Sequence, residues 1–225
     1  MSITAFKALI KKNWCDEPMT KILFVDDNAI ICTMYGNMLE KSGYSVVSAN
    51  SGPEALKLLD TKSFDLILLD IMMEPMDGWE VLEHIRERDD CAGISVVVLT
   101  AKALLPGEAL EYGDAILGFC MKPLFVETLQ DFLTLILSEK DEREKFLFAC
   151  GDDESARNSV TEYMALRQQI RVWEEMFSLI VKTFGEVVDD EFSECPMQIK
   201  SIRDVIAGKK ARLTELEDSV KAYTT

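Results

Sequence analysis

Short apolar runs alternate with longer amphipathic segments between residues 20 and 140. The apolar runs are rich in Val, Ile and Leu, a composition typical of strands that are buried on both faces of a parallel sheet. We predict five such strands, at residues 21–25, 46–49, 65–69, 95–99 and 117–121.

A segment with helix-initiating residues follows each predicted strand. Asn28 is a good N-cap, and Gly52-Pro53 puts proline at a first helical position, where its missing N–H costs nothing. Asp77-Gly78, Pro106 and Pro123 mark three further starts. The predicted helices are 28–42, 52–61, 79–88, 106–112 and 123–138. This alternation predicts an α/β fold with a doubly wound, five-stranded parallel sheet.

The pattern changes after residue 140. A charged stretch, residues 138–145, leads into two long segments whose apolar residues recur at alternating spacings of three and four, which predicts two helices with apolar seams, as in a coiled coil. The first seam contains Tyr163, Leu166, Ile170, Trp173, Phe177, Ile180, Phe184 and Val187. The second contains Ile199, Ile202, Ile206, Leu213, Leu216, Val220 and Tyr223, with Lys209 interrupting it.

The segment 189–197 between these helices is acidic and contains proline, so we expect the helices to form an antiparallel hairpin. The predicted organisation is an N-terminal extension at 1–19, an α/β domain at 20–140 and a helical hairpin at 141–225. Apolar residues from Ile3 to Trp14 suggest a short amphipathic helix in the extension.

The chain is strongly acidic, with 40 acidic and 24 basic residues and a net charge of −16. Such a field repels nucleic acids, so DNA binding requires a local basic patch. The candidate patch is Lys209-Lys210 with Arg203 and Arg212, but residues 141–225 contain 12 basic and 18 acidic residues. We therefore expect no DNA binding. The alternative interpretation is a transcription regulator that binds DNA through the C-terminal helices.

The six cysteines are scattered without a C-x-x-C pair, so we expect free thiols. No apolar run reaches the ~18 residues of a membrane span, and the first residues lack a secretory signal pattern. We expect a cytoplasmic protein with no membrane partner.

Polar residues stand at the carboxyl ends of the predicted strands, where open α/β sheets bind ligands. Asp26 and Asp27 follow the first strand, Asp70 the third, Thr100 ends the fourth, and Lys122 follows the fifth. Clustered carboxylates suit Mg²⁺ or Mn²⁺ and need a cation to offset their repulsion. An aspartate can also accept a phosphoryl group, whose oxygens a hydroxyl and an ammonium can bind. These residues predict a phosphoryl-transfer site that carries its own acceptor.

The segments that contain these residues resemble the receiver domain of two-component response regulators, of the kind found in chemotaxis regulators. They are LFVDDN (23–28), LILLDIMMEPMDGWE (66–80), VVVLTA (96–101) and FCMKP (119–123). The resemblance spans about residues 20–140, and it implies a flavodoxin-like sheet with strand order 2-1-3-4-5.

The resemblance also implies roles for individual residues. Asp70 would be the phosphoacceptor and would bind Mg²⁺ together with Asp26, Asp27 and the carbonyl of Met72. Lys122 would hold the phosphoryl group. One departure is visible, since the family usually has proline where this chain has Glu74.

The remaining implied residues form the switch. Thr100 would move toward the phosphoryl group, Ala101 would leave room for its donor, and Phe119 would turn inward when Thr100 moves. The protein would then be a phosphorylated switch and not a metabolic enzyme, with autophosphorylation and autodephosphorylation as its intrinsic reactions.

The implied partners are a histidine kinase and a downstream protein target. The hairpin cannot relay a phosphohistidine, because the one histidine, His84, lies outside it in a predicted helix and is expected to be structural. Two helices alone bury too little apolar surface. We expect the hairpin to form a homodimer through residues 155–223, or alternatively to pack against the α/β domain.

Overall fold

The computed structural model describes residues 20–184, apart from Ala92, and residues 194–223. Within these ranges the strands are β1 Lys21–Val25, β2 Ser45–Ala49, β3 Leu66–Asp70, β4 Ser95–Thr100 and β5 Gly118–Met121. The helices are α1 Ala29–Lys41, α2 Gly52–Leu59, α3 Gly78–Arg86, α4 Pro106–Tyr112, α5 Val126–Ala149, α6 Glu154–Phe184 and α7 Glu194–Val220. The helix predicted in the N-terminal extension lies outside the described residues.

The five strands form one parallel sheet with the order β2-β1-β3-β4-β5. This confirms the predicted fold class and strand order. The third strand begins and ends one residue later than predicted, so Asp70 is its last residue and pairs with Leu99 of β4. Thr100 likewise ends β4.

The sheet is buried on both faces because its strand residues alternate between two apolar cores. Leu23 and Ile67 belong to the core that is covered by α2, α3 and α4. Their neighbours Ile22 and Leu68 belong to the core that is covered by α1 and α5. Two buried faces explain why the strand sequences are continuously apolar.

Local capping fixes where the helices begin beside the sheet's carboxyl edge. The side chain of Asn28 accepts hydrogen bonds from the amides of Ile30 and Ile31, as its sequence position predicted. At the start of α3, the Asp77 carboxylate accepts from the Glu80 amide at 2.9 Å and the Glu80 carboxylate accepts from the Asp77 amide at 3.0 Å. This reciprocal pair satisfies two amides that a helix start would otherwise leave unbonded.

The helix α5 begins and ends later than predicted. It starts at Val126 and continues to Ala149, so the charged stretch 138–145 is helical. Glu, Lys and Arg are good helix formers, and charge alone does not end a helix. The chain then turns at Gly151, whose φ of 56° lies in the left-handed region that glycine adopts without strain.

The helices α6 and α7 form an antiparallel hairpin. The guanidinium of Arg203 lies over the ring of Phe177, whereas Arg212, nine positions later, pairs with Glu162. As residue numbers rise along α7, the residue numbers of the partners in α6 fall, so the two helices are antiparallel. Of the predicted linker 189–197, residues 194–197 belong to α7, and Val187 of the first seam lies outside the described ranges.

The buried face of α6 is wider than the predicted heptad seam. Trp173 and Ile180 of the seam are buried, but so are Val172 and Met176, which lie between seam positions. These residues join the core that contains β3 and β4, because α6 packs against the α/β domain as well as against α7. Much of the apolar surface that motivated the homodimer is thus covered within one chain, and the burial of the described residues does not show a coiled coil.

Among the helices in the described ranges, none is both long enough and apolar enough to span a bilayer.

Candidate phosphoryl-transfer site

Three carboxylates meet at the carboxyl edge of the sheet. Asp26 and Asp70 are almost fully buried, with 1% and 5% of their surface exposed, and Asp27 is exposed. One carboxylate oxygen from each lies within 4.8 Å of the others. The parallel register of β1 and β3 causes this meeting, because Val25 lies beside Leu69 and the acidic residues come next.

Lys122 reaches into this cluster from the end of β5. Its Nζ lies 2.5 Å from Oδ2 of Asp26 and 2.8 Å from Oδ2 of Asp70. Burial raises the pKa of Asp70, and the hydrogen bond and charge of Lys122 oppose that rise without cancelling it. Burial also acts to lower the pKa of Lys122, but hydrogen bonds from the ammonium to Asp26 and Asp70 outweigh it and raise this pKa. The ammonium therefore stays charged between the two buried carboxylates.

The loop after β1 holds Asp26 in place through its backbone and side chain. The Asp26 amide donates to the carbonyl of Ala49 at 3.2 Å, and its Oδ1 accepts from the amide of Asn28 at 2.9 Å. The Cys32 thiol donates to the Asp26 carbonyl at 3.2 Å, and burial together with the Asp26 charge raises the pKa of that thiol to about 11. One oxygen of Asp26 is thus fixed by the loop, and the other faces Lys122.

The loop after β3, residues 71–77, is named the acceptor loop for the predicted phosphoacceptor Asp70 that precedes it. This loop and the start of α3 pack tightly against the backbone of Asp70. A Cβ added at Gly78 would lie 2.2 Å from the Asp70 carbonyl oxygen and 2.8 Å from Cα of Ile71, so only glycine fits. The amide of Met72 donates to Asp70 Oδ1 at 3.3 Å. The loop contains Glu74 at the position of the family's usual proline, and the following Glu74–Pro75 peptide bond is cis.

Of the three predicted switch residues, Thr100 ends β4, Ala101 follows it, and Phe119 lies on β5. Thr100 is 2% exposed, and its Oγ1 accepts a hydrogen bond from the amide of Lys102 at 3.0 Å. Its hydroxyl proton is not used by that bond. Ala101 is exposed beside it. Phe119, which pairs with Val98 across the sheet, is already buried in the core.

A series of polar and aromatic contacts connects the site to α4, and the sequence analysis did not find it. The Nζ of Lys102 lies 2.7 Å from the Glu108 carboxylate, which also accepts from the indole N–H of Trp79 at 3.2 Å. The ring of Trp79 stacks on Tyr112, with centroids 4.4 Å apart and planes 7° from parallel. Trp79 directly follows Gly78, which packs on the Asp70 backbone, and the Lys102 amide bonds to Thr100. The helix α4 therefore contacts residues that adjoin both Asp70 and Thr100.

The hairpin attaches to the end of α4 at one carboxylate, Asp114. Its Oδ1 accepts from the indole N–H of Trp173 in α6 at 2.7 Å and lies 2.8 Å from the Nζ of Lys209 in α7. Trp173 is 2% exposed and packs so closely on Gly113 that an added Cβ would lie 2.8 Å from its ring. The lysine that interrupts the second seam was the sequence signal for this contact, since a cation inside a seam needs an anionic partner.

A second attachment joins α6 to α5 and to the sheet. Arg171 makes a two-point contact with the Glu139 carboxylate, both distances being 3.1 Å, and donates to the Leu117 carbonyl at 3.3 Å. Nearby, burial and then the charge of Glu175 raise the pKa of the Cys120 thiol to about 12. The α6 helix therefore covers the β5 edge of the sheet.

The four residues of the candidate basic patch have partners within the chain. Lys209 pairs with Asp114, Lys210 with Glu174 at 2.6 Å, and Arg212 with Glu162 at 2.7 Å. Arg203 lies over the ring of Phe177. These contacts leave no isolated cationic stripe on the described part of α7.

The fold and this arrangement of residues are those of a receiver domain. The chain belongs to the response regulator receiver domain family, whose model matches residues 22–134. The chain is 31% identical over 120 residues to the polar-differentiation response regulator DivK of Brucella ovis, covering 51% of this chain and 98% of DivK. It is 31% identical over 126 residues to the transcriptional regulatory protein GlrR of Escherichia coli strain K12, covering 54% of this chain and 28% of GlrR.

A solved structure supports the same assignment. The CheY-like receiver domain protein of Methanospirillum hungatei matches with a TM-score of 0.51 and 28% identity, over 55% of this chain and 98% of the other. The chain spans less than a third of the length of GlrR, and these three matches cover little more than half of this chain.

Proposed function

We propose that this protein is a response regulator of a two-component phosphorelay, in which Asp70 accepts a phosphoryl group from a histidine kinase. The observation that carries the proposal is the position of Lys122 at 2.5 Å from Asp26 and 2.8 Å from Asp70, beside the exposed Asp27. One buried ammonium thus lies between two buried carboxylates, with a third carboxylate close to them, and a phosphoryl-transfer site needs both signs of charge.

The three carboxylates fit a divalent cation, because their oxygens lie within 4.8 Å of one another and two of them are buried. Asp26, Asp27 and Asp70, with the carbonyl of Met72, would hold Mg²⁺ or Mn²⁺. Such a cation would offset the repulsion between the carboxylates and an incoming phosphoryl group.

The chain's own residues supply the rest of the chemistry. An oxygen of Asp70 forms the new bond to phosphorus while the bond from phosphorus to the donor nitrogen breaks, and the electron pair leaves with the donor. The ammonium of Lys122 binds a phosphoryl oxygen as a point charge. The hydroxyl of Thr100 donates a hydrogen bond to another phosphoryl oxygen. Its O–H is available for this, because in the bond with the Lys102 amide the hydroxyl is the acceptor.

The donor is a protein, and apolar side chains around the site support this. Ile30 and Met34 of α1 are 78% and 54% exposed, Met72 after β3 is 54% exposed, and Phe125 after β5 is 68% exposed. They lie on the three segments that follow Asp26, Asp70 and Lys122. Large exposed apolar side chains grouped at one edge are typical of a protein-binding surface.

The output is a change in protein interactions through the hairpin. Thr100 connects to α4 through Lys102 and Glu108, and the start of α3 connects to α4 through the Trp79–Tyr112 stack. Two residues after α4 ends, Asp114 holds the hairpin. A shift at the site can therefore alter the docking of α6 and α7. Because the four residues of the candidate basic patch have partners within the chain, we do not propose DNA binding.

The activity is that of a switch with intrinsic phosphorylation and dephosphorylation, and not that of a metabolic enzyme. Incubation with phosphoramidate and Mg²⁺ should produce a phosphoryl group that hydroxylamine removes, as it does from acyl phosphates. Chelation of the cation should prevent the labelling. Labelling that resists hydroxylamine, or that persists without a divalent cation, would overturn the proposal.

A further inference from the structure

A cavity of about 400 Å³ lies at the amino edge of the sheet, at the end opposite the aspartates. Residues that precede or begin strands form one side, including Phe64, Leu66 and Leu117. Leu133 and Ile136 of α5 form part of another side. Its volume is in the range of small-molecule sites, which are usually ~300–1,000 Å³ and mostly apolar.

The cavity exists because α5 is longer than the sheet requires. The helix continues past the edge of the sheet to Ala149, and α6 returns alongside it. Met164 and Ala165 of α6 close the third side of the cavity. Its walls therefore belong to the receiver domain and to the hairpin together, and a ligand inside would contact both.

The cavity also has cationic residues among its lining. Lys140 and Arg143 of α5 are exposed, and in the described ranges neither has an ion-pair partner. Arg167 of α6 also lines it and makes a partly exposed pair with Glu142 at 3.2 Å. Positive charge is thus available where an anionic group could enter.

The acidic residues of the lining are already engaged. Oδ2 of Asp65 accepts from the Lys21 amide at 2.8 Å, and both oxygens of Glu139 contact Arg171. Asp65 keeps its negative charge, because its partner is a backbone amide, whereas Glu139 is paired with a cation. The lining cations without an ion-pair partner among the described residues are Lys140 and Arg143. In a chain of net charge −16, a site with two unpaired cations beside an apolar cavity is selective for anions that carry apolar groups.

We propose that this cavity binds an amphipathic carboxylate, a molecule with an apolar chain and one carboxylate at its end. The chain lies against the apolar walls, and the carboxylate meets Lys140 and Arg143 at the mouth. A free inorganic anion would leave the apolar walls unfilled, and a neutral hydrocarbon would leave the cations unused. Since the walls come from both parts of the protein, the bound acid stabilises the docked hairpin.

Calorimetric titration of the full chain with decanoate, below its micelle concentration, tests this site. Decanol and decyltrimethylammonium serve as neutral and cationic probes of the same chain length. We expect saturable binding of one decanoate per chain, with decanol weaker by about tenfold because it lacks a charge-assisted contact, and no binding of the cation. Absence of saturable decanoate binding, or equal affinity for decanol, would overturn the proposal.

Two kinds of variant locate the site. Ala165→Trp fills the cavity from an exposed position on α6, where folding should tolerate the change, and should abolish binding. Lys140→Glu combined with Arg143→Glu should weaken binding by about tenfold or more. The matched control is Lys145→Glu, an exposed cation on α5 that does not line the cavity, and it should bind decanoate as the wild type does. Unchanged affinity in both the filled and the charge-reversed variants would place the ligand elsewhere and sink the assignment.

Discussion

The indole nitrogen of Trp173 lies 2.7 Å from a carboxylate oxygen of Asp114. The tryptophan belongs to the hairpin and the aspartate to the receiver domain, directly after α4. Since Lys209 reaches the same carboxylate, one acidic side chain connects both helices of the hairpin to the end of α4. The same helix, α4, contacts Trp79 at the start of α3. The output of the switch is therefore expected to depend on Asp114.

Replacing Asp114 by alanine should loosen the hairpin. The buried N–H of Trp173 would lose its acceptor, and an unsatisfied buried donor costs about 1–3 kcal/mol. Urea unfolding should show that loss, and amide hydrogen exchange should accelerate in α6 and α7. Glu111→Ala removes an exposed charge from the end of α4, three residues before Asp114, and should change neither quantity. Equal effects of the two variants would show that Asp114 has no special role.

The thiol of Cys120 should report whether the hairpin is docked. Its pKa of about 12, raised by burial, leaves little thiolate at pH 8, and alkylation there should be about a thousandfold slower than for a thiol of ordinary pKa. Asp114→Ala should speed alkylation by iodoacetamide, because release of α6 lets water reach β5. Peptide mapping distinguishes Cys120 from the other cysteines, and the expectation fails if its rate is the same in both proteins.

Gly78→Ala should damage the acceptor loop specifically. The added Cβ would meet backbone atoms of Asp70 and Ile71, which cannot move as a flexible side chain can. We expect the free energy of unfolding to fall by about 1–3 kcal/mol and phosphorylation by a small donor to slow. The control is Gly208→Ala on α7, where nothing lies within 4 Å of an added Cβ. There alanine should be neutral or stabilising by up to about 1 kcal/mol, since it favours helices.

Removal of the Lys122 charge should destabilise the protein in a way that a divalent cation corrects. In Lys122→Gln, Asp26 and Asp70 stay buried without their counter-ion, and breaking such a buried pair costs about 3 kcal/mol or more. Urea titrations should show this loss in chelator and a smaller one in Mg²⁺, because the cation binds only the folded site. Lys102→Gln, which removes an exposed pair with Glu108, should cost under about 1 kcal/mol and should not respond to Mg²⁺. A Lys122 variant that behaves like the Lys102 variant would contradict our account of the cluster.

The sheet and its acidic edge were predictable because each depends on a local pattern. Five buried strands produce five apolar runs, and residues such as Asp70 and Thr100 stand where those runs end. Small errors arose where an end is set by hydrogen bonding and not by composition. Asp70, for example, is a strand residue because its backbone pairs with β4, although its side chain is polar.

The docking of the hairpin could not be predicted in the same way. The seam pattern of α6 is satisfied equally by a second hairpin or by the receiver domain, and only the three-dimensional arrangement chooses between them. Lys209 looked like an interruption because its partner, Asp114, lies 95 positions earlier in the chain. The end of α5 was misjudged because residues 138–145 are polar, yet Glu139 and Glu142 are held in the helix by arginines of α6.

The most direct test of the central claim is the intact mass of the protein after treatment with phosphoramidate and Mg²⁺, compared between the wild type and Asp70→Asn. The wild type should gain one phosphoryl group and the variant none, although both keep Lys122 and the neighbouring carboxylates. Asp27→Asn serves as a second variant that keeps the acceptor but lacks one proposed metal ligand, and it should be labelled more slowly. A phosphoryl adduct of equal amount on Asp70→Asn would contradict the assignment of Asp70 as the acceptor.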